Sequence, residues 1–181
     1  MRPRSPTRRS RPAFAIDAGP ASAVEDYPAD MRAPGALLLA LEGRAPLEFA
    51  ASLAAAPWLR RLPRGDGHRV LVLPGLAAND LTTLPMRTFL KDRGYQPAPW
   101  ELGLNLGPRA GVLDAIRERV RALHAIDGRP VSLLGWSLGG VYAREIAKEM
   151  ADQVRCVITL GSPFSGPPQA TNAWWLFERV S

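Results

Sequence analysis

The ten residues Val131 to Gly140, VSLLGWSLGG, restrict the fold of this chain more than any other stretch. Val131-Ser-Leu-Leu134 is a short apolar run of the kind that forms a buried strand, and Gly140-Val-Tyr-Ala-Arg-Glu-Ile-Ala-Lys148 opens a helix. Between them Gly135-Trp-Ser-Leu-Gly139 must reverse from extended to helical backbone within a few residues. So tight a turn strains the backbone at Ser137. The residues two before and two after it, Gly135 and Gly139, must therefore lack side chains that would collide.

The flanking sequence repeats this alternation. Arg69-Val-Leu-Val-Leu73 predicts a buried strand ending at Pro74-Gly75, after the turn cluster Pro63-Arg-Gly-Asp-Gly67. Asp80 is the expected N-cap of a helix through Leu84, Phe89 and Leu90 that stops at Gly94. A short strand over Tyr95 to Trp100 and a loop at Gly103-Leu-Asn-Leu-Gly107 come next. Leu113, Ile116, Val120 and Leu123, spaced by three and four, then predict an amphipathic helix. After the helix from Leu138 to Met150, Val154 to Leu160 reads as another buried strand. This order implies an α/β fold, a mostly parallel sheet with helices on both faces. Ligands in such sheets bind at the carboxyl ends of the strands, where Pro74-Gly75-Leu76, Ser137 and the loop after Leu160 all fall.

Charge excludes one class of partner. Of the net charge of +6, five come from Arg2, Arg4, Arg8, Arg9 and Arg11, in a stretch without an acid. The rest of the chain is close to neutral, so nucleic-acid binding by the folded part is not expected. Thr7-Arg-Arg-Ser-Arg11 before Ala13-Phe-Ala-Ile16 faintly resembles a twin-arginine export signal, but Asp17, Gly19 and Pro20 break the apolar segment such a signal needs. Residues 1–32 read as a solvated, disordered arm, and 33–181 as the folded unit. Helix broken near Pro46 is expected over Pro34 to Leu62. The most apolar region, Ala36 to Leu59, is interrupted by Glu42, Arg44, Pro46 and Glu48, so no membrane span is expected. One cysteine, Cys156, excludes an intrachain disulfide, points to a reducing, cytoplasmic location, and reads as a small buried hydrophobe. No His, Cys or carboxylate cluster has metal-ligand spacing, no glycine run matches a phosphate-binding loop, and no cofactor is expected.

A strand, a Ser-centred G-x-S-x-G turn and a helix together form a nucleophile elbow, which lifts the serine hydroxyl out of the sheet. The backbone N–H of Leu138 would face the oxygen of a tetrahedral intermediate, and the N–H of Leu76 would supply the second donor. The bland alternative is a glycine-rich turn whose serine only caps the helix. LLGWSLGG, VLVLPGL and VITLGSPFSG, over Val70 to Gly166, resemble the α/β-hydrolase superfamily and its lipase- and esterase-like members: the elbow, the oxyanion strand and loop, and the strand and loop after the elbow helix. Pro74 stands where many relatives carry His before Gly. Since that donor is a backbone group, the change is tolerable.

The resemblance implies a Ser–acid–His order, with the acid and histidine on loops of later strands. No histidine follows Ser137. His68 and His124 precede their strands, whereas Ser137 follows one. A five-residue strand spans about 17 Å, and a general base must come within about 3 Å. Each is therefore expected at a surface or helix end. Asp114, Asp127 and Asp152 read as solvated, and Trp174, Trp175, Leu176 and Phe177 as an apolar patch that lines an acyl pocket or packs in a core or interface.

The resemblance thus implies a C-terminally truncated serine hydrolase acting on a small acyl ester, weak or inactive for want of its acid and histidine. An acyltransferase using the same nucleophile and a non-catalytic remnant or interaction protein stay open. With its next neighbour missing, the strand Val154 to Leu160 would be a sheet edge and invite self-association.

Overall fold

The computed structural model describes residues 61–162, together with Leu47, Ala50, Ala51 and residues 54–59 before them. The basic arm, most of the helix expected over Pro34 to Leu62, and the Trp174–Phe177 patch lie outside the described residues. In chain order the elements are α1 (Ala56–Leu59), β1 (Arg69–Leu73), α2 (Leu84–Asp92), β2 (Gln96–Ala98), α3 (Val112–Asp127), β3 (Val131–Trp136), α4 (Leu138–Glu149) and β4 (Val154–Leu160).

The four strands form one parallel sheet in the order β2-β1-β3-β4. Alternation along β1 and β3 gives the sheet two apolar faces. Leu71, Leu73, Val131 and Leu133 meet Ile116, Val120 and Leu123 of α3 and Tyr142, Ala143 and Ile146 of α4 on one face. Val70, Val72 and Leu134 meet Met86 and Leu90 of α2 on the other. The α/β reading, a mostly parallel sheet with helices on both faces, therefore holds. The chain leaves β1 in one direction to form β2, then crosses back to place β3 on its other side. This reversal makes the gap between β1 and β3 the switch point of the sheet, where such folds open a crevice at the carboxyl ends.

Local chemistry explains the boundaries. Pro85 stands at the start of α2, where a missing N–H costs nothing. Gly128, at φ 69°, ends α3 in the left-handed conformation and returns its N–H to the His124 carbonyl. Among the described residues β2 is an edge strand, the place in a sheet where a proline such as Pro97, with no N–H to donate, is tolerated.

Three expectations are corrected. Asp80 does not cap α2, whose N-cap is Thr83; its carboxylate instead accepts the N–H groups of Trp100 and Glu101. The strand at 154–160 forms as expected but is largely exposed, with Val154 and Val157 packed on the core. Among the described residues β4 is a sheet edge, and α2 covers β1 and β3 without reaching it. Cys156, on that uncovered face, is exposed for the same reason.

At the amino ends of the strands Asp66 ties three segments together. Its carboxylate accepts from the His68 Nδ1–H, from Arg155 of β4 at 2.6 Å and from Arg129 ahead of β3 at 3.1 Å. The bond from His68, followed by that from Arg155, holds the Asp66 carboxyl well below the usual carboxylate range. A depressed folded-state pKa contributes stability that is present above the unfolded value of about 4 and is lost as pH falls below it. The melting temperature of the wild type is expected to drop between pH 5 and pH 3. Asp66→Asn should be less stable at pH 6 and show a smaller drop over that interval, as read by circular dichroism. Parallel melting curves for the two proteins across the interval would contradict this.

Candidate active site

The turn between β3 and α4 is built by close backbone contact. A Cβ on Gly135 would lie 2.3 Å from the Gly139 carbonyl oxygen, and one on Gly139 would lie 2.2 Å from the Leu73 carbonyl oxygen. Both distances are below any real non-bonded contact, so glycine is required at each. The first contact closes the turn on itself, and the second seats the start of α4 against the end of β1. Ser137 between them adopts φ 52°, ψ −121°, a strained conformation for a residue with a side chain. Its N–H donates to the Leu160 carbonyl at 2.8 Å, which fixes the turn to the end of β4.

Although Ser137 occupies the N-cap position of α4, its side chain makes no capping hydrogen bond. The hydroxyl of a serine that merely caps would bond the N–H of the second or third helical residue. The Ser137 side chain is half-buried, between the exposed Trp136 and the buried Leu138.

The loop after β1 lies directly against this serine. A Cβ on Gly75 would be 3.2 Å from the Ser137 Cβ and 3.3 Å from the Trp136 carbonyl oxygen. A Cβ on Gly140 would run into the Ser162 side chain, so the loop after β4 abuts the start of α4 as well. The three loops expected at the carboxyl edge do meet there. Neither the Leu76 N–H nor the Leu138 N–H has an acceptor among the described residues. The latter belongs to the first turn of α4, where the helix dipole favours negative charge.

Sequence reasoning missed Asn105. It is 1% exposed, and every polar group it has is used. Its Nδ2 donates to the Pro74 carbonyl at 2.9 Å, while its Oδ1 accepts the Gly107 N–H at 3.1 Å and the Tyr142 hydroxyl at 3.3 Å. Its backbone pairs with Ala77 and Ala78, both at 2.8 Å. The loop carrying Gly75 and Leu76 is thus pinned to the 103–107 loop and, through Tyr142, to α4. Burial pushes the Tyr142 phenol up, so it remains a neutral donor. The available signal was one amide between two leucines and two glycines in Gly103-Leu-Asn-Leu-Gly107.

Neither histidine reaches Ser137. His124 sits in the last turn of α3 and bonds the Arg129 carbonyl at 3.0 Å, the helix-end position expected. His68 departs from the surface position expected of it. It is 7% exposed and its Nε2 lies 2.7 Å from the hydroxyl of Ser132. Ser132 precedes Ser137 by five residues of strand, about 16 Å. Tertiary packing buried this histidine at the far end of the sheet. Among the described residues, no group of three or more His, Cys, Asp or Glu side chains could hold a metal ion. No helix there is long and apolar enough to cross a membrane.

No family model and no curated protein matches the sequence. Among solved structures the chain is similar to MGS-MChE2, an α/β hydrolase from the metagenome of sediments of the lagoon of Mar Chica, Morocco, with 22% identity and a TM-score of 0.40. That match covers 56% of this chain and 48% of the other. Similarity to Aspergillus fumigatus lipase B has 22% identity and a TM-score of 0.43, covering 55% of this chain and 25% of the lipase. Similarity to polyneuridine aldehyde esterase has 14% identity and a TM-score of 0.41, covering 63% and 47%. The chain spans less than half the length of each of these proteins.

Two substitutions test this architecture. Gly135→Ala drives a methyl group into backbone with no room to give, and is expected to abolish cooperative unfolding or lower stability by about 3 kcal/mol or more. Asn105→Ala leaves buried donors and acceptors unpaired, with an expected loss of about 3 kcal/mol in urea unfolding. A loss below about 1 kcal/mol for Asn105→Ala would show that water takes over its bonds.

Proposed function

We propose that this chain carries the nucleophile half of a serine hydrolase that cleaves carboxylic esters through an acyl-enzyme on Ser137. The observation that carries the proposal is a serine held at φ 52° at a helix start, its hydroxyl unused for capping, with Gly75 packed against it and the N–H groups of Leu76 and Leu138 without an acceptor among the described residues. In this reading the Ser137 Oγ attacks the ester carbonyl, and the carbonyl oxygen takes up negative charge. The Leu138 and Leu76 N–H groups donate to that oxygen, and each such donor contributes about 3–4 kcal/mol to the transition state. Collapse of the intermediate expels the alcohol, and water releases the acid. Asn105 acts by holding the loop that carries the Leu76 N–H, and Gly135 and Gly139 act by making the turn.

The proton of Ser137 needs an acceptor, and the two histidines of the sequence are both placed away from it. We therefore expect the 181-residue chain to hydrolyse activated esters weakly. A serine hydrolase lacking a triad member keeps about 10³–10⁴-fold over water and loses up to about 10⁶ in turnover. A p-nitrophenyl ester assay against Ser137→Ala tests this. A small rate that disappears in the variant supports the proposal, and an equal rate in both proteins overturns it. Transfer of the same acyl group to an acceptor other than water would appear as ester or amide formation when alcohols or amines are added. A non-catalytic interaction role would leave Ser137→Ala indistinguishable from the wild type.

Self-association through β4 forms part of this proposal. Ile158 on β4 is 46% exposed, whereas Val157 packs against the core. At micromolar concentration we expect dimers or larger species by size-exclusion chromatography. Ile158→Lys should shift them toward monomer, and Val157→Lys should destabilise the fold instead. A wild-type monomer would refute pairing at this edge.

A further inference from the structure

A second set of polar side chains lies at the opposite end of the sheet and takes no part in the proposed ester chemistry. His68 stands just before β1, Ser132 is the second residue of β3 and Cys156 the third of β4. Ser132 and Cys156 are register partners on adjacent strands. A continuous series of contacts joins them. The Asp66 carboxylate meets the His68 Nδ1, the His68 Nε2 lies 2.7 Å from the Ser132 Oγ, and that oxygen lies 3.2 Å from the Cys156 Sγ. His68 and Ser132 are buried, at 7% and 2%, whereas the thiol at the end of the row is exposed.

The direction of each hydrogen bond follows from the acid. Asp66 stays ionised among His68, Arg155 and Arg129, so it can only accept, and the His68 Nδ1 carries the proton. With neutral imidazole, Nε2 accepts the Ser132 O–H, and the Ser132 oxygen accepts the Cys156 S–H. If a proton moves from sulfur to Ser132 while the Ser132 proton moves to Nε2, the two bonds of Ser132 reverse, that between Nδ1 and Asp66 keeps its direction, and none is lost. Imidazolium then donates to Ser132, and Ser132 donates to sulfur. Both states satisfy the buried groups, as a proton wire requires. The other titratable and charged groups around the row are Arg129, Arg155 and Tyr95, whose ring stands edge-on to His68 at 5.1 Å, with the Arg69–Asp127 pair beside them.

We propose that Asp66, His68, Ser132 and Cys156 form a relay that makes Cys156 a reactive thiol toward small electrophiles, low-molecular-weight disulfides in particular. In thiol–disulfide exchange the Cys156 sulfur attacks one sulfur of the disulfide. Its proton passes to Ser132 as the Ser132 proton passes to the His68 Nε2. The new S–S bond forms as the old one breaks. The departing half leaves as a thiolate and is protonated as His68 returns its proton to Ser132 and Ser132 releases its own outward. Cys156 is oxidised, half of the disulfide is reduced, and the relay returns to its starting state. Ser132 acts through its hydroxyl as a bridge, because its burial denies substrate access.

The single cysteine of the sequence makes the test clean. The full chain is treated with iodoacetamide from pH 6 to pH 9 and adduct formation is followed by intact mass, with N-acetylcysteine in the same buffers as reference. A free thiol reacts as thiolate, so its rate falls about tenfold per pH unit below pH 8. The wild type should fall less steeply and react about tenfold faster at pH 7 than Ser132→Ala, less than the usual general-base assistance of about 100-fold or more because the sulfur contact is weak. Ser132→Thr keeps the hydroxyl and should hold the wild-type slope. Oxidised glutathione should give a mixed disulfide in the same order of variants. A wild-type slope equal to that of N-acetylcysteine overturns the relay without recourse to any variant. Equal rates in folded wild type and Ser132→Ala overturn it as well. Esterase assays do not enter this test, so its outcome is independent of the role given to Ser137.

Discussion

The contact on which the structure most depends is backbone against backbone, where the start of α4 rests on the carbonyl end of β1 with no room for a side chain at Gly139. It fixes the height at which α4 meets the sheet, and with it the direction in which the β3–α4 turn presents Ser137. The same approach brings Gly75 against Ser137. Ordinary side-chain packing tolerates rearrangement at a cost of a few kcal/mol. Contact between two main chains has no rotamer to change, so this corner of the molecule is rigid where a strained serine needs rigidity.

The sheet order gives that corner its place. With β1 in the interior and the chain leaving it in both directions, the gap between β1 and β3 opens at the carboxyl edge. Asn105 then closes the arrangement by fastening the 74–78 loop to the 103–107 loop and to Tyr142 of α4. Three chain segments separated by about thirty residues each are held by one buried amide. A half-satisfied amide there would be worse than an apolar residue, and every group on this one is paired.

The two ends of the sheet use polar side chains in opposite ways. At the carboxyl edge the Ser137 hydroxyl and the Leu76 and Leu138 N–H groups have no partner among the described residues. At the amino edge a hydroxyl is buried in an unbroken series from Asp66 to Cys156. Parallel strands make the contrast possible, because each end of the sheet gathers loops of one kind: those that enter strands at one edge and those that leave them at the other.

Local physics was legible in the sequence. Apolar runs at Arg69–Leu73 and Val131–Leu134, the three- and four-residue spacing of α3, and the two glycines around Ser137 each fix a local conformation through sterics or periodicity. Those signals suffice for the element order, for the parallel sheet and for the convergence of three loops. Tertiary structure decided what depends on partners distant in the chain. Asp80 moved from the start of α2 to bind the backbone of Trp100 and Glu101, because two donors there lacked an acceptor. His68 went inward, because the sheet brings Ser132, distant in the chain, to its Nε2 while Asp66, two residues before it, holds its Nδ1. Cys156, apolar in its local setting, faces outward because β4 lies at the edge of the described sheet beyond the reach of α2. The role of Asn105 could not be read from its neighbours in sequence, since a hydrogen-bond network is a property of positions in space. The chain's own pattern determines where it is strand, turn or helix; which polar groups find one another is settled when the sheet assembles.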